Sequence, residues 1–565
     1  MKVKSAQIKD WLKSKSVTPS IMQMLRVVKD PSAEGSIWND YRKTFKEASF
    51  IRSANFPQPA KKLLVLSLTD WIYQIKHECL LSTGLKMAGY APTILISYGN
   101  FWAPKYFRAF GIKDFIYWED FSMSSTEWIQ SQKDSQAFLS GPLSIRTVKE
   151  WNYRGSWIGP KLISSISRKQ HLGAPDLSTP ESRDEISNLL PLSLANVGKA
   201  QKILTSNAPD LVIVNEANNF AMSPIIDFAV QNKTNVVQFI QPSRDDALIF
   251  KRLTPETRRL HAVSLSPQEL ERLSQKPWTS QDESELHEEI NNRYGGRWFL
   301  QSRNQPGTKP KSKNEIFKQL NLNPTKKVAT VFSHVLWDAN LFYGVDLFED
   351  YGDWFIQTVK AANNNCDINW IIKLHPANLF KRAQDKRSGE LSEMILIRKY
   401  IGELKPHVKL VFPDTDISTK SLFEITDYGI TVRGTVGIEL PCFGKLVLTA
   451  GTGRYSGLGF TKDFESQEKY IEALLEIQNL EPMSEKQTLL AKRHAHTIFK
   501  LRPWLHTSFR STFNYPKEGR HPLDHNIELE AKSISEIERN GDLRSWASWA
   551  DNVDKVDYLN LANDP

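Results

Sequence analysis

DYGITVRGTVGIELPCFGKLVLTAGTGRY, residues 427–455, holds a complete strand–turn–helix–strand unit. Tyr428–Val432 reads as a short strand and Arg433–Gly437 as a turn bounded by Gly434 and Gly437. A helix starts near Ile438, and Lys445–Thr449 reads as a buried strand. This order sets the unpaired N–H groups of a helix N-terminus just beyond a strand end, where the helix dipole is positive and a phosphate fits. Thr435 adds a hydroxyl donor and Arg433 a positive charge. Glu439, in the first helical turn, can accept two ribose hydroxyls. The unit therefore reads as a place for a sugar nucleotide.

The same alternation extends on the N-terminal side. From Lys326, KVATVFS is a strand, FEDYGDWFIQTVKAA a helix and INWIIKLHP a strand; SEMILIRKYIGEL and VKLVFPD repeat the pair. An earlier block starts at Leu63 with LLVLSL, a continuous apolar run of the kind found in parallel strands covered on both faces. A helix from Ile72 to Ala88 follows, closed by Gly89, and then the strand PTILIS. DLVIVNE, SPIIDFAVQN and VVQFI form another unit, with Ser223 as cap and Pro224 at the first helical position. The expected fold class is α/β and GT-B-like: two Rossmann-like, doubly wound domains facing a central cleft, with helical extensions. The expected divisions are a helical extension over 1–60, a first domain over 61–305, a nucleotide-sugar domain over 315–483 and a helical tail over 484–565 that crosses back. Residues 304–314, NQPGTKPKSKN, read as the linker. Residues 120–200 read as helices and loops inserted on one face, and 255–300 as charged helix.

The chain has 565 residues, too many for one core. Its 40% hydrophobic and 24% charged residues are ordinary for a globular protein. The three cysteines, Cys79, Cys366 and Cys442, are far apart and form no metal or disulfide pattern, which fits a reducing cytoplasm. No apolar run approaches the length of a membrane span, and the N-terminal MKVKSAQIKDWLKSKS has no apolar signal core; it reads as a basic amphipathic helix. The net charge of +9 suits a phosphorylated substrate, an acidic glycan or peripheral contact with an anionic inner membrane. The basic residues are dispersed, which argues against nucleic-acid binding. Of the tryptophans, Trp38, Trp102, Trp118 and Trp151 read first as core and second as sugar platforms.

In open α/β sheets ligands bind beyond the carboxyl ends of the strands. Lys373, His375 and Pro376 end INWIIKLHP, where the proline stops the strand. His375 can donate to a phosphate oxygen or protonate a leaving phosphate. Ser333 and His334 follow KVATVF. Gln241 and Pro242 end VVQFI and face the His–Pro pair from the first domain, with Arg244 close behind. Asp70 and Glu216 follow first-domain strands and are candidates for the base that activates an acceptor hydroxyl. Tyr455 can close over the nucleotide from the glycine-rich GTGRYSGLGF. No paired-aspartate motif stands at a strand end, so no metal or other cofactor is expected; positive side chains and a helix N-terminus can do that work.

DWFIQTVKAA leading to INWIIKLHP, then RGTVGIELPCFGKLVLTAG and RYSGLGFT, resemble the capsule polysaccharide synthesis proteins, the bacterial family that includes Kdo-transferring enzymes. The resemblance covers about 330–465. In the first domain it extends only to pattern and to the Gln–Pro pair. It implies a GT-B glycosyltransferase, cytoplasmic or peripheral at the inner membrane. Such an enzyme moves a sugar from a nucleotide-sugar donor, plausibly CMP-Kdo, to a capsular or other surface glycan or glycolipid. By this likeness His375 contacts the donor phosphate, Thr435 its oxygens and Glu439 the ribose. Kdo transferases also carry a Glu-Asp-Gly stretch; Glu119-Asp120-Phe121 here lacks the glycine. Two other readings share the fold: a sugar-nucleotide 2-epimerase, and a non-catalytic assembly or export partner.

Overall fold

A computed structural model describes residues 18–171, 173–302, 307–338, 341–384, 388–514 and 521–561. The basic helix expected over the first sixteen residues lies outside them, as do residues 304–306 of the expected linker. Among the described residues no helix is long and apolar enough to cross a membrane.

Two α/β sheets carry the fold. The first contains β1 (Lys61–Leu66), β2 (Tyr90–Ile96), β3 (Asp114–Tyr117), β4 (Leu211–Val214), β5 (Asn235–Ile240) and β6 (Ala247–Arg252). The second contains β7 (Val328–Phe332), β8 (Asn369–Lys373), β9 (Val408–Val411), β10 (Tyr428–Thr431), β11 (Leu446–Thr449) and β12 (Lys462–Asp463). A last short strand, β13 (Trp504–Leu505), joins the first sheet at the outer edge of β6. The orders are β13-β6-β5-β4-β1-β2-β3 and β9-β8-β7-β10-β11-β12. In both, the connections run one way from the first strand and then reverse, so each sheet has a switch point: between β1 and β4, and between β7 and β10. The second sheet is parallel throughout. The expected pair of doubly wound domains is present.

The continuous apolar strands exist because each sheet is covered on both faces. Leu63, Val65, Ile213 and Phe239 enter one core of the first sheet, while Leu64, Leu66, Val212 and Val214 enter the other. In the second sheet Val331, Trp370, Ile372 and Ile430 go to one face, and Val328, Ile371 and Val447 to the other. Helices Ser125–Leu139, Gly159–Gln170 and Pro180–Asn207 fill the stretch between β3 and β4.

β6 is antiparallel to β5, a strand beyond those the apolar runs above predict. Its sequence, ALIFKR, puts Lys251 and Arg252 fully inside, which reads as surface until their partners are known. Lys251 Nζ donates to Asp557 Oδ1 at 2.9 Å, and Arg252 donates to the carbonyls of Trp549 (3.0 Å) and Asn552 (2.9 Å). Trp546, Trp549 and Tyr558 surround Phe250 in the same place.

Candidate active site

The switch point of the second sheet holds a cavity of about 160 Å³. Its walls include Ser333, His334, Lys373, His375, Gly434, Thr435, Val436 and Glu439. Strand register explains the gathering. Lys373 pairs with Phe332, and Ile430 with Val331, so β7, β8 and β10 end side by side. Ser333 N donates to Lys373 O at 3.0 Å, which closes the corner.

His375 is followed by Pro376 and by the helix Ala377–Gln384. The N–H of Ala377, a first-turn donor without a helical acceptor, donates to His375 Nδ1 at 3.1 Å. That bond fixes the neutral tautomer with its proton on Nε2, a donor ready for an anionic oxygen. Burial, with help from Lys373 and Lys381, pushes the imidazole pKa down to about 3, so the ring is neutral at physiological pH. His334 is held in a similar way: its Nε2 accepts from Val432 N at 3.2 Å, and its ring stacks on Tyr351 at 4.3 Å.

Lys373 is buried, at 5% exposure, and no described residue gives its ammonium an ion pair. Burial alone lowers its pKa to about 8. The Ser333 hydroxyl is also buried without a partner among the described residues. In the turn, Gly434 N donates to Thr431 Oγ1 (3.1 Å), while Gly437 N, Ile438 N and Glu439 N bond back to Gly434 O and Thr435 O. Thr435 N and Val436 N are left without acceptors among the described residues. Such unmet donors and a lone buried ammonium are costly unless an anion completes them. The helix Val436–Glu439 is short and passes into a 3₁₀ turn, Leu440–Phe443.

Glu439 lies in the wall of this cavity, already partnered. Oε1 accepts from Arg293 Nε (3.0 Å) and Nη2 (2.8 Å), and Oε2 accepts from Tyr294 OH (2.8 Å). A carboxylate has about four acceptor positions, so hydroxyls can still donate to it. Arg293 and Tyr294 end the helix Ser280–Tyr294 and also line the cavity. The sequence offered no signal for them beyond a charged helical pattern.

The first sheet's switch point opens on a larger cleft of about 640 Å³ between the two domains. Glu216, just past β4, faces this space beside Lys161, Arg168, Trp337, Asp338 and Lys381. Its side chain is open to the cleft's solvent yet walled by protein. That enclosure, reinforced by Asp338, raises its pKa from its ordinary value against the pull of Arg168 and Lys381. No described residue hydrogen-bonds its carboxylate. Asp338 and Lys381 also act on His375, so the two spaces share one electrostatic border. Lys161 is a second titrating group in the cleft, its pKa pushed down to about 7 by burial despite Asp227.

No protein-family model matches this chain, and no curated protein matches it in sequence. Among solved structures it is similar to Thermosulfurimonas dismutans KpsC, beta Kdo 2,4 transferase, at 14% identity and TM-score 0.31, over 58% of this chain and 87% of that one. It is also similar to S. aureus MnaA in a UDP co-structure, at 12% identity and TM-score 0.28, over 78% and 92% of the two chains. A third is a putative UDP-N-acetylglucosamine 2-epimerase from Listeria monocytogenes, at 12% identity and TM-score 0.24, over 77% and 91%.

Several sequence candidates lie elsewhere. Asp70 accepts from the backbone N–H of Phe101 (3.2 Å), Trp102 (3.1 Å) and Ala103 (3.1 Å) and pairs with Arg26. It caps the helix Ala103–Ala109 and is committed there rather than in the cleft. Gln241 donates to the carbonyls of Arg244 (2.6 Å) and Ala247 (2.9 Å), tying the β5–β6 hairpin, so the Gln–Pro pair with Pro242 lines neither space. Arg244 is held by Asp246 at 2.9 Å and lies over Trp298. Arg433 stands behind the turn: it donates to Thr452 O (3.0 Å) and Tyr351 OH (3.1 Å) and pairs with Asp346. Tyr455 donates to Gly434 O at 2.8 Å from the same side. A Cβ on Gly437 would lie 2.1 Å from its hydroxyl, so only glycine lets Tyr455 brace the turn. Glu119 accepts from Ser97 Oγ (2.5 Å) and Tyr98 N (3.0 Å), a loop anchor.

Lys373→Met should raise the Tm of the ligand-free protein, because it removes a buried charge with no partner. It should also abolish most of the stabilisation by nucleotide. For the native Lys373 the folded pKa is depressed, so its charge is present below about pH 8 and lost above it. Anion affinity should therefore fall as pH rises past 8, by up to about tenfold per unit, and the Met variant should lose that slope. Calorimetry of nucleotide binding from pH 7 to 9.5 checks both.

Proposed function

We propose that this chain is a metal-independent glycosyltransferase acting on a nucleotide-activated sugar. The observation that carries the proposal is the pairing of two spaces at facing switch points. One offers an unneutralised buried ammonium and unmet N–H and O–H donors; the other offers an unbonded carboxylate of raised pKa. The donor's phosphate belongs in the first, against Lys373, His375, Ser333, Thr435 and the turn of Gly434. The ribose lies toward Glu439. The acceptor hydroxyl belongs in the interdomain cleft, where Glu216 takes its proton as the new bond to the anomeric carbon forms. The bond from that carbon to the phosphate oxygen breaks, and the electron pair stays on the departing phosphate. His375 and Lys373 stabilise that growing charge, which is where fixed donors contribute most.

A CMP-sugar such as CMP-Kdo, and a capsular or other surface glycan as acceptor in the cytoplasm, follow from the resemblance described above. The deciding experiment is thermal stabilisation by CMP, UDP and GDP, each with magnesium and with EDTA. A shift specific to CMP and indifferent to metal supports the full reading. A shift with UDP or GDP keeps the phosphate site and discards the CMP-sugar. No shift with any nucleotide removes the proposal.

A further inference from the structure

The helix Thr18–Lys29 is attached to the body of the protein by its polar side. Gln23 donates to Glu34 at 2.6 Å, and Arg26 pairs with Asp70. This leaves Met24 (69% exposed), Leu25 (56%) and Val28 (82%) facing outward. The three share one helical face, at spacing i, i+1, i+4. A helix at a protein surface ordinarily turns its apolar side inward, so this orientation is the reverse of the usual one. Exposing it costs hydration and gains nothing unless something covers it.

The local charge identifies the cover. Lys29 is exposed on this helix. The first fifteen residues of the chain carry five lysines, against a single acidic residue, Asp10. An outward apolar row flanked by cations matches the chemistry of an anionic lipid bilayer, with the row in the acyl–headgroup boundary and the cations at the phosphates. The position also fits. Asp70, which anchors Arg26, lies between Thr69 and Trp71, and both of these line the interdomain cleft. We infer that the face of Met24, Leu25 and Val28 docks this protein on an anionic membrane surface, with the Thr69–Trp71 side of the cleft toward the lipid. The inference does not depend on the reaction proposed above.

The test uses the full chain and flotation with vesicles of phosphatidylglycerol and phosphatidylethanolamine, against vesicles of phosphatidylcholine alone. The wild type should float with the anionic vesicles and at least tenfold less with the neutral ones. A variant carrying Met24→Ser, Leu25→Ser and Val28→Ser should lose at least tenfold in anionic-vesicle binding, with unchanged Tm and unchanged response to nucleotide. Equal flotation of variant and wild type overturns the inference, as does equal binding to neutral vesicles or none to either. If light scattering shows a wild-type dimer that the variant converts to monomer, without vesicle binding, the face belongs to a second copy of the chain and the inference fails.

Discussion

Glu216→Gln is expected to lower kcat by about 100- to 10,000-fold, the range for loss of a positioned general base. Nucleotide-induced stabilisation should not change, because the residue lines the larger cleft and not the cavity of Lys373 and Thr435. The pH profile separates this role from a structural one. The carboxyl must be ionised to act, and its pKa is raised by enclosure and by Asp338. In the wild type kcat/KM should therefore fall as pH drops, at a higher pH than an ordinary glutamate would give. That limb should be missing from the glutamine variant's residual activity. A limb near pH 7 that survives the substitution would move the role to Lys161, whose pKa lies at about 7.

His375→Ala should cut turnover by about 100-fold or more, with the fold retained. The mode of action can be read from a second substitution. With its pKa near 3 and Nδ1 occupied by the Ala377 N–H, the ring acts as a neutral Nε2–H donor. Glutamine can present an amide N–H to the same oxygen but cannot deliver a proton. His375→Gln should thus retain at least tenfold more activity than His375→Ala. Equal activities in the two variants would instead make His375 a proton donor to the leaving phosphate, its pKa lifted by the bound anion. Full activity in the alanine variant would remove it from the site.

The cavity at the second sheet's switch point was legible because its residues are adjacent to the signals that predict strands. Ser333, Lys373, His375 and Thr435 each follow an apolar run by one to four positions, and parallel register then brings the strand ends together. The same rule misled at Asp70, since a carboxylate just past a strand is equally suited to capping the next helix. Gln241 failed for a related reason: β6 returns antiparallel, so the residues after β5 form a hairpin rather than a cleft wall. Arg433 and Tyr455 were placed in the right neighbourhood but on the wrong side of the turn. Sequence proximity cannot tell the face that meets a ligand from the face that braces it. Arg293, Asp338 and Lys381 were invisible because their roles arise from pairings distant in the chain, Arg293 with Glu439 and Lys381 with Asp338.

β6 has one further consequence, for the order in which the protein can be made. Its Lys251 finds its carboxylate partner, Asp557, 306 positions later in the chain. β13, the edge neighbour of β6, is also translated after the whole second sheet. At roughly 5–20 residues per second, a ribosome needs roughly 15 to 60 seconds to deliver that partner. Within this interval the whole second sheet, ending at Asp463, is translated, while the first sheet still has a bare edge and an unneutralised lysine. The C-terminal half should therefore become protease-resistant on the ribosome first. Delivery of β13 and Asp557, rather than completion of β1 to β6, is the event that closes the first domain.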